Sequence, residues 1–327
     1  MSVLLQLLTA GVAIGMVLGL LGLGWVVVYR VSGLLNLAQG SFLVVGALTA
    51  SALAAAGWPH AAAVGAGLLA SVAAGLLLAG VLRLSRGGHH TAPVIITLGA
   101  AEVFAEICRQ VFGNDPLLLP AFLPRAPVQL GPVTVAPHVA LLVFATLALL
   151  GLLWWVFERT SLGKELQACA DSAEGAALVG INPGLIRALA FALAAGLAGA
   201  GGILLAPVTP VGWDSGLSLA VKGFVAAVLG RWRYPGTIIA GLFLGVTESL
   251  AAGYLASAWK DVLVLGVLLV VLLWRTAPWS GAIRRTMRRR QAARRRADGT
   301  GPGSRHLLTQ NPPTVDIPEP TTHPRQE

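Results

Sequence analysis

Charge is what this sequence has least of. Only 11% of its 327 residues are Asp, Glu, Lys or Arg, against roughly 25% in a soluble domain. With 56% hydrophobic residues, 40 glycines and a mean hydropathy of +0.77, much of the apolar surface must face something other than water. A soluble fold is excluded, and the chain is expected to be an all-α, polytopic integral membrane protein. Cysteine is nearly absent too: Cys108 and Cys169 lie in dissimilar surroundings, which excludes a disulfide framework or a Cys-based metal site. No G-x-x-x-x-G-K-[ST] occurs, since Gly163-Lys164 is followed by Glu165 and lacks the upstream glycine, so nucleotide hydrolysis on a P-loop is excluded. H-E-x-x-H and G-x-S-x-G are also missing. No catalytic, cofactor-binding or metal-ligating set is therefore expected, and the chain is not read as an enzyme.

The charges present are unevenly placed. Residues 281–327 hold ten arginines and four acids (Asp298, Asp316, Glu319, Glu327), which accounts for most of the formal +9. The run from Arg284 to Arg296 directly follows the last apolar stretch and contains no aromatic to stack on bases, so it suits a juxtamembrane cytoplasmic anchor and not nucleic acid. Beyond it, Gly299–Glu327 is rich in Pro, Thr and Gly and has too few large apolar residues to offset the entropy of ordering. The expected organisation is a transmembrane domain over 1–280 and a basic, disordered cytoplasmic tail over 281–327. At the other end no Lys or Arg precedes Val3 and the first cation is Arg30, the reverse of a cleavable signal, so the first run is read as a retained span with its N-terminus outside.

About 20 apolar residues cross the hydrocarbon core as a helix. Apolar runs near 3–28, 32–56, 60–82, 94–112, 139–157, 186–207, 235–253 and 260–275 give eight spans. A shorter ninth run, Ser215–Gly230, is either a tilted span or a re-entrant helix. If it crosses and the tail is cytoplasmic, the inner connections hold Arg30, Arg83, Arg86, Arg159, Lys164, Arg187, Arg231, Arg233 and Arg275, while only Arg109, Arg125 and Lys260 fall outside. That bias is the one positive-inside topology demands. Gly11, Gly15 and Gly19 repeat every fourth residue, as do Gly241 and Gly245, which lets helix backbones approach closely.

Polar residues inside spans mark candidate path or gate positions, because each costs about 2.5–3.5 kcal/mol when ionised at mid-membrane. Asn36 and Gln39 share one face at i, i+3; they line the path or bond to a neighbouring backbone. Glu102 lies mid-span, either on the path or as the buried partner of another helix, and Glu106 with Arg109 suits an interfacial pair. Lys222 and Glu248 each fall about five residues from the outer ends of their spans, roughly 7 Å deep. Equal depth makes a pair.

The connection Glu158–Arg187 is the longest on the inner side. Leu166, Ala170, Ala173 and Ala177 recur at 4, 3, 4 spacing with Asp171 and Glu174 off the stripe, predicting one short amphipathic helix ended by Gly180 and Pro183. Its small-residue face suits a shallow groove on another protein better than a lipid surface.

Four ordered blocks carry a resemblance. Gly163-Lys164 with Ala168-Cys169-Ala170 and Ala177-Leu178-Val179-Gly180-Ile181-Asn182, Gly33-Leu34-Leu35-Asn36-Leu37-Ala38-Gln39-Gly40 with Gly46-Ala47, Lys222 to Gly230, and Tyr254-Leu255 with Lys260-Asp261 resemble the inner-membrane permeases of branched-chain amino-acid ABC importers, most closely the smaller of the two paired permeases. The resemblance covers about residues 1–280. It implies half of a translocation path, working with a second permease subunit, two cytoplasmic ATPases that contact the 158–187 loop, and an extracytoplasmic binding protein. The chain departs from the family where a glycine-rich turn usually follows the Lys222 block: here stand Gly230-Arg231-Trp232-Arg233-Tyr234-Pro235-Gly236-Thr237. The Pro-rich outer segment Asn114–Pro137 and the basic tail also lie outside the pattern. Relatives handling urea, amides or sugars share these blocks, and an ion-driven secondary carrier using Glu102, Glu248 and Lys222 as a proton relay is the alternative of a different class.

Overall fold

The computed structural model describes residues 2–84, 92–121, 128–130, 133–135 and 137–254, with Val262, Leu265, Gly266, Leu269 and Val270 beyond them. Ten helices fill most of this stretch: α1 Ser2–Ser32, α2 Gln39–Ala55, α3 His60–Leu84, α4 Ala92–Phe112, α5 Pro137–Arg159, α6 Ser161–Asp171, α7 Ala173–Leu178, α8 Pro183–Leu205, α9 Ser215–Leu229 and α10 Tyr234–Tyr254. Apart from those five residues, the predicted span at 260–275 lies outside the described residues, as does the basic tail.

Five helices, α1, α3, α5, α8 and α10, are long and apolar enough to cross a membrane by length and composition. α2 and α9 are apolar but only 17 and 15 residues long, and α4 carries Glu102, Glu106 and Arg109 along its 21 residues. The helical class expected from composition is present, whereas a count of eight full spans plus one is not established. The expected single helix after α5 is two helices, and a short antiparallel hairpin, β1 Val128–Leu130 with β2 Val133–Val135, interrupts the otherwise helical chain in register Val128↔Val135.

α1 sits at the centre. It is apolar all round, and 89% of its most apolar window is buried against α10, α8 and α9, as expected of a helix with no polar face. The glycine stripes meet each other: a Cβ on Gly15 would fall 2.7 Å from Leu242 Cα, and one on Gly241 would fall 2.5 Å from Gly19 N. α2, α3 and α8 form a second close-packed layer, in which Ser71 Oγ lies within hydrogen-bonding distance of the carbonyl oxygens of Phe42 (2.9 Å) and Ala195 (2.7 Å). α3 and α5 are peripheral, with Leu69, Leu77 and Phe144 exposed.

Local chemistry sets the helix boundaries. α1 ends at Gly33, whose φ of 68° suits glycine, and the Asn36 side chain then accepts from Ala38 N to turn the chain into α2. α8 opens on Asn182, which accepts from Gly184 N and Leu185 N, with Pro183 at the first helical position.

Candidate functional site

Two regions carry the candidate residues, one at each end of the bundle. At the end holding the start of α1, a cavity of about 730 Å³ lies between α1, the α8–α9 loop, α9 and α10. Lys222 on α9 and Glu248 on α10 line it and are joined, Nζ donating to Oε1 at 2.6 Å. Both side chains are about nine-tenths buried, so water screens the pair little and each charge depends on the other. Glu248 Oε2 is buried and has no hydrogen-bond partner among the described residues. Next to it Ser249 Oγ donates to Leu7 O at 2.7 Å, tying α10 to α1 at the cavity's edge.

Val211, on the cavity wall, is held by backbone. Leu117 and Val211 form an antiparallel bridge with N–H···O distances of 3.1 and 3.0 Å, and Leu119 N donates to Ala206 O. The segment after α4 is thereby fastened across the α8–α9 loop, with Leu119 fully buried.

The remaining polar candidates divide. Asn36 and Gln39 are fully buried and occupied internally: Asn36 Nδ2 donates to Gln39 Oε1 at 3.2 Å, and Gln39 Nε2 donates to Ala194 O at 2.9 Å. Gln39 thus makes the backbone bond, one of the two roles expected of the pair. Glu102 is exposed on α4 and is not the buried partner of another helix among the described residues. Glu106 and Arg109 form the expected pair, with Arg109 reaching both carboxylate oxygens at 2.8 and 2.6 Å.

At the opposite end, α6 and α7 make an elbow. Thr160 caps α6 by accepting from Gly163 N, and Ser172 breaks the predicted continuous helix by capping α7 through Gly175 N at 3.0 Å. A serine that bonds a nearby amide competes with helix continuation. The buried face is therefore Gly163, Leu166, Cys169 and Ala176, the last three packed in one cluster with Val27, Phe157 and Ile186. Ala170, Ala177 and Gly180 are exposed and Ala173 is half-buried, so Leu166 departs from the stripe assigned to it. Gly180 (φ 88°) closes α7: Ile181 N donates to Ala176 O and Gly180 N to Ala177 O, the Schellman arrangement. Burial pushes the Cys169 thiol above its ordinary value, which disfavours the thiolate.

Sequence spacing missed Leu178 and Val179. They are 89% and 75% exposed at the tip of the elbow, an apolar point just before the closing glycine. It also missed a cluster at the α9–α10 turn, where Trp232 stacks on Tyr29 at 4.1 Å and the Arg30 guanidinium lies 5.1 Å from the Tyr234 ring centre. The only available signal was the crowding of aromatics beside arginines near helix ends.

Known proteins are similar to this sequence over most of its length. The high-affinity branched-chain amino acid transport system permease protein BraD of Pseudomonas aeruginosa is 30% identical over 290 residues, covering 83% of this chain and 94% of that one. LivH of Escherichia coli K12, with the same description, is 29% identical over 291 residues, covering 82% and 92%. The autoinducer 2 import system permease protein LsrC of Salmonella paratyphi B is 28% identical over 214 residues, covering 62% and 59%. With residues 7–272 matching its profile, the chain belongs to the family described as the branched-chain amino acid transport system / permease component.

Proposed function

We propose that this chain is the permease subunit of an ATP-driven importer for branched-chain amino acids, forming half of a path across the inner membrane. BraD and LivH, matched over more than nine-tenths of their length, support the substrate class. α2, α4 and α9 cross the bilayer with the five longer helices, the N-terminus lies outside, and the elbow is cytoplasmic. A second permease subunit completes the path, with Glu102 on the exposed face of α4 turned toward it. A binding protein delivers substrate at the cavity end, where Lys222 and Glu248 serve as gate.

The observation that carries ATP coupling is the elbow. The chain has no P-loop, so free energy must enter through a surface. α6 and α7 offer one: rooted by Gly163, Leu166 and Cys169, they present Ala177, Leu178 and Val179 outward. One of the two ATPase subunits docks there, and closure of the ATPase pair moves the elbow against the cluster beneath it. Reconstituted alone in vesicles, the chain takes up no amino acid. With the second permease, both ATPases and the binding protein, it gives ATP-dependent uptake of leucine, isoleucine or valine that is indifferent to an imposed proton or sodium gradient. Accumulation by the isolated chain down an ion gradient replaces this proposal with a secondary carrier.

A further inference from the structure

Burial alone explains why Lys222 and Glu248 stay together, but not why they border a cavity. A pair that only holds two helices is best sealed between them, where no competing ligand reaches it. Here both side chains line the 730 Å³ cavity, a volume within the usual range for small-molecule sites. The other ion pair among the described residues, Glu106–Arg109, lies exposed on α4 away from it.

We propose that this pair is a zwitterion-binding site, the substrate's α-carboxylate taking Lys222 and its α-ammonium taking Glu248, with the two side chains re-pairing once it has passed. This rests on the amino-acid importer proposed above. The exchange conserves charge: one ionic contact inside the protein is replaced by two to the ligand, and neither Lys222 nor Glu248 is left alone in low dielectric at any stage. A sugar supplies no charge and a fatty acid or an amine supplies one, so each leaves a buried charge uncompensated. Glu248 Oε2, buried and without a hydrogen-bond partner among the described residues, has unused acceptor capacity for an ammonium. Asp214 on the same cavity wall supplies a second carboxylate that draws the ammonium inward, while Leu7, Ile14 and Ala252 offer an apolar wall for a branched aliphatic side chain.

The test uses the purified full chain in lipid nanodiscs and reads its thermal unfolding midpoint. L-Leucine is compared with 4-methylpentanoate, which lacks the amino group, and 3-methylbutylamine, which lacks the carboxylate. Leucine raises the midpoint with saturation, and the other two do not. The charge-free K222M/E248L variant folds without responding. The reversed K222E/E248K variant keeps its ion pair yet loses at least tenfold in leucine affinity, a loss that a merely structural pair would not show. Equal response to all three compounds, no response to leucine in the natural chain, or a response retained in K222M/E248L overturns the site. Leucine uptake by the fully assembled complex is measured in parallel: if uptake persists while the response is missing, the site falls and the importer stands. If the assembled complex takes up no branched-chain amino acid, the importer falls and the site with it.

Discussion

Gly15 and Gly245 stand backbone against backbone, so close that a Cβ on Gly245 would strike the amide nitrogen and Cα of Gly15. Gly11 and Gly241 continue the contact in both directions, and α1 and α10 touch along most of their length. The seam weakens at one point: a Cβ on Gly19 would meet Ile238 Cα at 3.5 Å, an ordinary contact.

Glycine-to-alanine changes should therefore differ along a single stripe. Gly15→Ala and Gly245→Ala force backbones apart, and overpacking of this kind costs about 1–3 kcal/mol; Gly19→Ala should be near neutral. Thermal unfolding midpoints in detergent check this, and equal effects at positions 15 and 19 would contradict the seam.

Removing one member of the Lys222–Glu248 pair leaves a buried charge without its partner. Lys222→Met or Glu248→Leu alone should cost about 3–5 kcal/mol, and the double change less than either. Folded yield and unfolding midpoints for the three variants measure the difference.

Arg231 has φ 56° and Trp232 φ 57°, both left-handed. Trp232 N donates to Ala227 O and Arg231 N to Val228 O, so Arg231 holds the position in a Schellman cap that glycine usually fills. Left-handed geometry costs a non-glycine residue about 1–2 kcal/mol, and Arg231→Gly should stabilise by up to about that amount. Trp232→Gly gains the same relief but forfeits the stack on Tyr29, the edge contact with Phe224 and its packing against the Trp25 cluster, and should come out destabilising.

A cation at the elbow tip should uncouple without unfolding. Ala177→Arg and Leu178→Arg leave the buried face of α6 and α7 untouched, so the subunit inserts normally while ATPase association and transport are lost. Ala173→Arg, at a half-buried site, should do the same with some loss of yield. Co-purification of the ATPases with tagged subunit reads this out; retention by all three variants would remove the docking role.

Accessibility of single cysteines checks orientation. With Cys108 and Cys169 replaced by Ala, Asp171→Cys should react with an impermeant thiol reagent only after the cells are opened, and Asn114→Cys in intact cells. Labelling of position 171 from outside would invert the topology.

The sequence reveals this molecule in proportion to how local each cause is. Helix positions follow from unbroken apolar runs, and α3, α5, α8 and α10 begin and end within a few residues of where those runs do. Lys222 and Glu248 could be paired in advance because depth along a helix is countable. The partner of Gln39 could not be named in advance, since it is the carbonyl of Ala194, 155 residues away. The break at Ser172 was hidden because a serine is compatible with a helix until its hydroxyl captures an amide, and the left-handed Arg231 and Trp232 gave no glycine to flag the turn.

The central place of α1 bears on how the protein is made. It leaves the ribosome before α2 to α10, yet the glycine face that fits it arrives with α10, more than 200 residues later. At about 5–20 residues per second, α1 waits on the order of ten seconds or more for its neighbour. Being apolar on every side, it can wait in lipid without penalty. Biogenesis is then a matter of keeping a seat open: helices emerging in between must gather around α1 while leaving one flank clear, and a chain halted before Tyr234 inserts but cannot close.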